Sequence, residues 1–392
     1  MRRIRDEERR ARVGLRHALA AEGAVTDVVD AARAVVGLHG TDPASTFLAA
    51  LARTPDATIP DVERALYDDR SLVRVLAMRR TVFAVPREDL GAVLVGAGAD
   101  ISRQQRTLLE KMLVESGVTD DPGPWVDRAI AAALAAMDGA GEIISTDLAK
   151  ADPLLGQRLE IAPGTKYATT ASVASRLLTV LSAEGRVVRS RPRGGWTSTQ
   201  FRWAVLDDWV GEVERPPLDA AASHVARLWL ARYGPATPDD LQWWTGWTKT
   251  RTRAALATLD TVEVDLDGTT GVLLAGDVDE VAEPEPWVAL LPALDPTAMG
   301  WRFRDFLLGP HRELVYDVNG NAGPTVWVDG RIVGGWAQRD DGEVVVKLLD
   351  DVGSQTSRLV DEKAAELTAT LGDVRLKARA RGWTVVEKEL RS

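Results

Sequence analysis

The residues best able to do chemistry sit in one short run, Gly37-Leu38-His39-Gly40-Thr41-Asp42-Pro43. It brings together an imidazole, a hydroxyl and a carboxylate, and His39 is one of only four histidines in the chain. Such a trio can hold a water and accept its proton, which is the equipment of general acid–base chemistry. An imidazole of ordinary pKa, roughly 6.5, would take that proton near neutral pH. Plainer roles compete. A histidine at a helix end complements the helix dipole. Asp42 before Pro43 is an ordinary helix start, the carboxylate capping and the proline at the first helical position. The two readings are compatible, because junctions between elements often carry function.

Other chemistries are excluded or disfavoured. Cysteine is absent, which removes disulfides, thiolate metal sites and thiol nucleophiles. Four dispersed histidines give no metal-ligand spacing, so no metal and no cofactor are expected. The first lysine is Lys111, so an amine for Schiff-base chemistry is missing near His39 and a water-using, monofunctional reaction is expected. The glycine-rich run Gly330–Gly335 lies between strands with no following helix, which is not a phosphate loop.

These residues need elements to hold them. Residues 5–23 read as a helix, and 26–40 as a second, capped by Thr26 or Asp27 and ended by Gly37 or Gly40. A third helix starts at Asp42, and a fourth spans 60–69. Residues 71–86 then alternate as two strands around Met78-Arg79-Arg80. Short helices followed by a hairpin read as a winged helix. The order returns at 144–205, with Arg186, Arg189, Arg191 and Arg193 on the hairpin. It returns again at 219–275, where Lys249, Arg251 and Arg253 lie in the third helix and "DGTTG" turns a hairpin. From 287 onward, short strands with Gly and Asp turns suggest a small antiparallel sheet or partial barrel, followed by a terminal helix and a last segment. None of the 13 tryptophans precedes Trp125, which marks a first boundary near 120. The expected architecture is α+β: winged helices at 1–120, 121–215 and 216–284, then a β-barrel-like domain at 285–392. Trp243, Trp244 and Trp247 fall on helical spacing, as core residues or as a platform for stacked bases.

The net charge of −10 argues against indiscriminate nucleic-acid binding. Basic residues nevertheless gather at the N-terminus, in the second hairpin and in "TKTRTR", while acids concentrate at 261–286. Local stripes decide phosphate contact. Arg79 and Arg80 at a hairpin tip suit phosphates equally with a solvated turn.

Several strings together resemble the AlkZ-type winged-helix DNA glycosylases, bacterial enzymes that excise bulky alkylated purines, some of them protecting producers of DNA-alkylating metabolites. The strings are "VVGLHGTDPAS", "LVRVLAMRRTVFAV", "AEGRVVR", "RYGPATPDDLQWWTG", "LLPALDPTAMGWRFR" and "VWVDGRIVGGW", which run across nearly the whole chain. The family motif has Gly-Leu-Gln-x-Gln, or Gln-x-Asp, often before Asp-Pro. Laid on this chain, its catalytic pair falls on His39 and Thr41, with Asp42 beside them, so the position is kept and the chemistry altered. The first hairpin departs too, carrying Arg79, Arg80, Thr81 and Phe83 where the family favours Arg-Gly-Thr and a histidine. Asp295 and Arg304 match the usual acid and base of the C-terminal part. The resemblance implies a cytoplasmic enzyme, expected to be a monomer, that hydrolyses the N-glycosidic bond of bulky N7-alkylated purines in double-stranded DNA. His39, Thr41 and Asp42 would be catalytic, and Arg79, Arg80, the four second-hairpin arginines, Lys249, Arg251, Arg253 and Arg304 would contact DNA. The alternative is a DNA-binding regulator or lesion-sequestering factor without catalysis. No apolar stretch is long enough to span a membrane and no secretory leader is evident.

Overall fold

A computed structural model of the chain describes residues 1–162, 164–165, 168–377 and 382–392. Part of the expected last segment, 378–381, lies outside the described residues. The structure mixes helices and antiparallel sheet, as the sequence suggests.

One order of elements occurs three times. The first pass has helix Val28–Ala34, strand Leu38–His39, helices Pro43–Leu51 and Ile59–Glu63, and the hairpin Leu72–Ala77/Thr81–Pro86. The second has Pro122–Met137, strand Ile143–Ile144, Ser145–Ala151, Val173–Ala183 and the hairpin Val187–Pro192/Phe201–Val205, with the two-stranded Arg158–Ile161/Thr169–Ser172 inserted. The third has Leu218–Tyr233, Pro238–Thr245, Lys249–Ala257 and the hairpin Thr261–Leu266/Thr269–Leu274. Each hairpin gains a third strand. In the first two passes this is the short strand between helices, but in the third it is Arg2–Arg3, parallel to Thr261–Leu266. The helix expected over 5–23 therefore spans only Asp6–Arg16, ending where Ala18 takes a left-handed conformation.

Local chemistry explains most boundaries. The Asp27 carboxylate accepts from the Val29 N–H at 2.6 Å, settling the choice between Thr26 and Asp27. Thr237 and Asp240 form a reciprocal capping box ahead of Trp243 and Trp244. Asp267 and Gly268, both at positive φ, close the third hairpin in two residues.

The C-terminal strands do not form a barrel. Val288–Leu291, Thr325–Val328, Arg331–Gln338 and Val344–Leu348 pair in sequential order, and the two outer strands are not bonded to each other. With its two edges unpaired, this sheet stays open. Helix Ser354–Leu371 packs on both outer strands, and Val385–Arg391 packs on Arg331–Gln338.

The largest core joins the first pass, the third pass and this sheet, and takes in Val188 and Ala204 of the second hairpin. Its centre is aromatic: Trp229 stacks on Tyr233 at 5.5 Å, and Tyr233 meets Trp301 edge-on at 5.0 Å. Trp244 and Trp247 belong to this core, and the Trp247 indole donates to the Gly96 carbonyl at 2.7 Å. A separate core, built on Leu109, Trp125 and Leu177, serves the helices of the second pass.

Candidate active site

His39 is not at a helix end. The helix before it stops at Ala34, Val36 and Gly37 take positive φ, and Leu38–His39 continues as a strand against Ala84 and Phe83. A two-residue strand has no periodicity to read, so only its long-range partner reveals it. A Cβ at Gly37 would sit 3.1 Å from the Val85 side chain, at a φ that favours glycine. The His39 ring packs edge-on to Phe83 at 5.2 Å and is only 3% exposed.

That burial changes the chemistry available. Loss of water, aided by the nearby Arg79 charge, lowers the His39 pKa to about 3. The Thr41 N–H points at His39 Nδ1 at 3.4 Å, which requires a lone pair there and leaves the neutral ring's proton on Nε2. His39 is thus a neutral donor in a cavity wall, not the base that its ordinary pKa suggests.

Thr41 and Asp42 are placed differently. Thr41 is exposed, and its Oγ1 accepts from the Val82 N–H at 3.2 Å, so its own proton is free to be donated outward. Asp42 caps helix Pro43–Leu51 through Oδ2, which accepts from the Ser45 N–H at 3.1 Å and the Ser45 hydroxyl at 2.7 Å. Oδ1 accepts from no described residue. The capping reading and a chemical reading therefore use different oxygens of one carboxylate.

Two cavities meet here. One, of about 620 Å³, runs past Ser145, Ser175, Phe201 and Trp203 and carries Arg189 and Arg193. The other, of about 440 Å³, lies between His39–Leu48 and the C-terminal sheet, with Pro292, Leu294, Trp336 and Trp383 in its walls. Thr41 and Thr199 line both. His39 and Asp42 line the second.

The basic residues separate sharply. The Arg189 side chain has no hydrogen bond or ion pair among the described residues and lies over Phe201 at 5.0 Å and Trp203 at 5.4 Å, where burial lowers its pKa to about 10. Arg193 is exposed near the hairpin tip with its side chain unpaired. Arg191 instead bridges to Glu63 at 3.2 Å and Asp68 at 2.9 Å. Arg186 sits at the base of the hairpin, 3.9 Å from Glu184. At the first hairpin tip, Arg80 is exposed, but Arg79 lies 3.8 Å over Trp243, docking the tip on helix Pro238–Thr245. Burial and the neighbouring Arg304 lower the Arg79 pKa to about 10. Arg304 is buried between Trp243 and Tyr316, donating to the Ala298 carbonyl at 3.1 Å, and does not pair with Asp295. Arg251 is bound to Asp100, while Lys249 and Arg253 stay exposed, with no side-chain partner among the described residues. The basic N-terminal run is largely neutralised internally, Arg3 by Asp267 and Arg12 by Glu8 and Asp277.

Sequence reasoning missed Arg53 and Arg74. Arg53 forms a fully buried bidentate pair with Asp295, at 2.8 and 2.9 Å. Arg74 is 2% exposed, with one hydrogen bond, to the Tyr67 hydroxyl. Its signal was legible, a lone cation in the apolar strand Leu-Val-Arg-Val-Leu.

Burial of neutral imidazoles carries a stability consequence. The folded pKa of His39, about 3, lies below its unfolded value, and His17 is likewise lowered by burial. The unfolded chain therefore binds more protons as pH falls from about 6.5, and stability should decline toward pH 3. In urea titrations, His39→Gln is expected to reduce the slope of stability against pH in this window by about one proton. An unchanged slope would place His39 in water.

The chain matches the family model described as DNA glycosylase AlkZ-like over residues 32–373. It is similar to an interstrand DNA cross-link repair glycosylase of Streptomyces sahachiroi, 31% identical over 181 residues, which is 44% of this chain and 48% of that protein. The aligned stretch thus spans about half the length of that relative. The solved structure of Streptomyces sahachiroi DNA glycosylase AlkZ superposes with a TM-score of 0.75 at 22% identity, covering 96% of this chain and 99% of that one, so the two share a fold. With the family match running across most of its length, this chain belongs to the AlkZ-like DNA glycosylase family.

Proposed function

We propose that this protein is a monofunctional DNA glycosylase that hydrolyses the N-glycosidic bond of bulky N7-alkylated purines in duplex DNA, leaving an abasic site. Self-resistance to a DNA-alkylating metabolite would be its service. We take the three passes as winged helices bounded near 120, 215 and 284, with the C-terminal sheet as a fourth unit. The observation that carries the reading is the meeting of two unlike cavities at Thr41, one polar and cationic, one apolar. The first suits a phosphate backbone. The second, at about 440 Å³, has the size and walls of a small-molecule site and suits the bulk of an adduct.

The division of labour differs from the one read in sequence. N7-alkylation already makes the base cationic, so the enzyme need not protonate the leaving group. It must orient a water and stabilise an oxocarbenium-like sugar. Asp42 Oδ1 is the group available to take the water's proton, and its charge opposes the charge forming on the sugar. Thr41 donates its hydroxyl proton, and His39 Nε2–H donates from the wall. A neutral donor at position 39 does what an amide would do, which fits the glutamine typical of the family there. DNA contact is assigned to Arg80, Arg189, Arg193, Lys249 and Arg253, whose side chains have no ionic partner among the described residues. Arg79, Arg186, Arg191, Arg251 and Arg304 support the frame around them.

The reading is tested with duplexes carrying a bulky N7-alkylguanine, followed by alkaline cleavage at abasic sites. Strand scission by wild type, lost in Thr41→Val with DNA binding kept, is the expected result. His39→Gln should excise at a rate similar to wild type, with no rate limb near pH 6.5 from position 39. The replacement of the family's glutamine pair by His39 and Thr41 favours the second reading, a binding factor without catalysis. Binding with no scission across several adducts would establish it.

A further inference from the structure

The cavity that holds Arg189 is lined by no aspartate or glutamate, although the chain has 58 acidic residues against 48 lysines and arginines. Its walls offer the hydroxyls of Ser145, Thr146 and Ser175 and the Gln200 amide. Neither the Arg189 nor the Arg193 side chain has an ionic or hydrogen-bonded partner among the described residues. Behind them lies Arg74, 98% buried by its 2% exposure, with Nε and Nη2 unpartnered. Arg74 and Arg189 both lie against Phe201, at 5.3 and 5.0 Å from its ring centroid.

Among the described residues, two of the other three buried arginines meet carboxylates, whereas Arg304 stacks between Trp243 and Tyr316. Arg12 meets Glu8 and Asp277, and Arg53 meets Asp295. Burying a guanidinium without a counter-ion is costly, and stacking on aromatic rings offsets only part of the cost. Arg191, from the same strand as Arg189, is paired twice, so the lack of acids is confined to the cavity side. A monoanion with several acceptor oxygens completes such a site, and a guanidinium meets a phosphate through two parallel hydrogen bonds.

We propose that Arg189 and Arg193, backed by the buried Arg74, anchor one phosphodiester of the DNA backbone, at the linkage beside the nucleotide that Thr41 faces. Arg189 is the contacting group. Arg74 does not touch the phosphate; it acts through Phe201 as a positioning charge that keeps the cavity positive. The anchor rests on the DNA-binding part of the proposed function and not on hydrolysis.

The test uses the full chain and duplexes holding a tetrahydrofuran abasic analogue, which cannot be cleaved. Single methylphosphonate linkages are moved along the strand to remove one backbone charge at a time, and affinity is read by fluorescence anisotropy. In wild type, one or two adjacent linkages beside the analogue should weaken binding about tenfold when neutralised, as expected for one charge-assisted contact. Arg189→Gln should weaken binding to the unmodified duplex similarly, lose sensitivity to that linkage, and flatten the salt slope by about one. Arg74→Met should lose part of the same sensitivity, and Arg191→Ala should keep all of it. Undiminished linkage sensitivity in Arg189→Gln, or equal losses at every linkage in wild type, overturns the anchor. Arg189 is partly exposed, so its variant should fold and decide the matter even if Arg74→Met does not. Failure to excise alkylated bases in the scission assay leaves this binding map standing, so the two ideas fail separately.

Discussion

Asp42→Asn is expected to slow single-turnover excision by roughly 10²- to 10⁴-fold, the usual share of a positioned proton acceptor, while DNA affinity changes little. Asparagine keeps the shape and the helix-capping ability of aspartate, because a side-chain oxygen still accepts from the Ser45 N–H. What it lacks is the negative charge and the basicity of Oδ1. Loss of rate without loss of melting temperature would therefore separate the chemical role from the cap. Asp42→Ala should show both defects, with about 1 kcal/mol of helix stability gone besides the rate. Excision by Asp42→Asn within threefold of wild type would remove the carboxylate from the reaction and return attention to Thr41.

The second large effect concerns the far end of the same helix. Helix Pro43–Leu51 begins at Asp42 and is followed at once by Arg53, whose guanidinium donates to both oxygens of Asp295, to the Thr297 hydroxyl and to the Ala49 carbonyl. Asp295 also accepts from the Thr297 N–H at 2.8 Å. Both charges are fully buried. Asp295→Ala should cost about 3–5 kcal/mol, because Arg53 is left as an unpaired buried charge. At about 2–4 °C per kcal/mol, melting should fall by roughly 10 °C. Replacing both partners, Arg53→Met with Asp295→Leu, should recover most of that loss, since an apolar pair needs no counter-ion. Additive losses in this double-mutant cycle would show that the two side chains stabilise independently. The pair clamps the helix that carries Asp42 to the segment leading into the C-terminal helices, so the single variant should also blunt excision below its melting range.

Much of the local grammar was legible in the chain. Asp27, Asp42, Thr237 and Thr248 cap helices where short polar side chains precede periodic apolar runs. The hairpins at 72–86 and 261–274 follow from alternation and turn residues. Whether the C-terminal strands make an open sheet or a partial barrel was not legible, because strand count and closure depend on partners that no short window contains. The charge pattern misled for the same reason. Arg191 and Arg251 read as a basic stripe, yet their carboxylates come from Glu63, Asp68 and Asp100, far away in sequence.

By itself the sequence determined which residues could act: one imidazole, one hydroxyl and one carboxylate in a single short run, helices and hairpins on either side, and no thiol or nearby amine. Those properties follow from side-chain identity and from interactions within a few residues. Tertiary structure decided what each may do. It sealed His39 against Phe83 and lowered its basicity, turned Thr41 to the wall between two cavities, and left one oxygen of Asp42 unbonded. Basicity, exposure and charge compensation are set by what surrounds a group in space, and here those surroundings come from segments up to hundreds of residues apart.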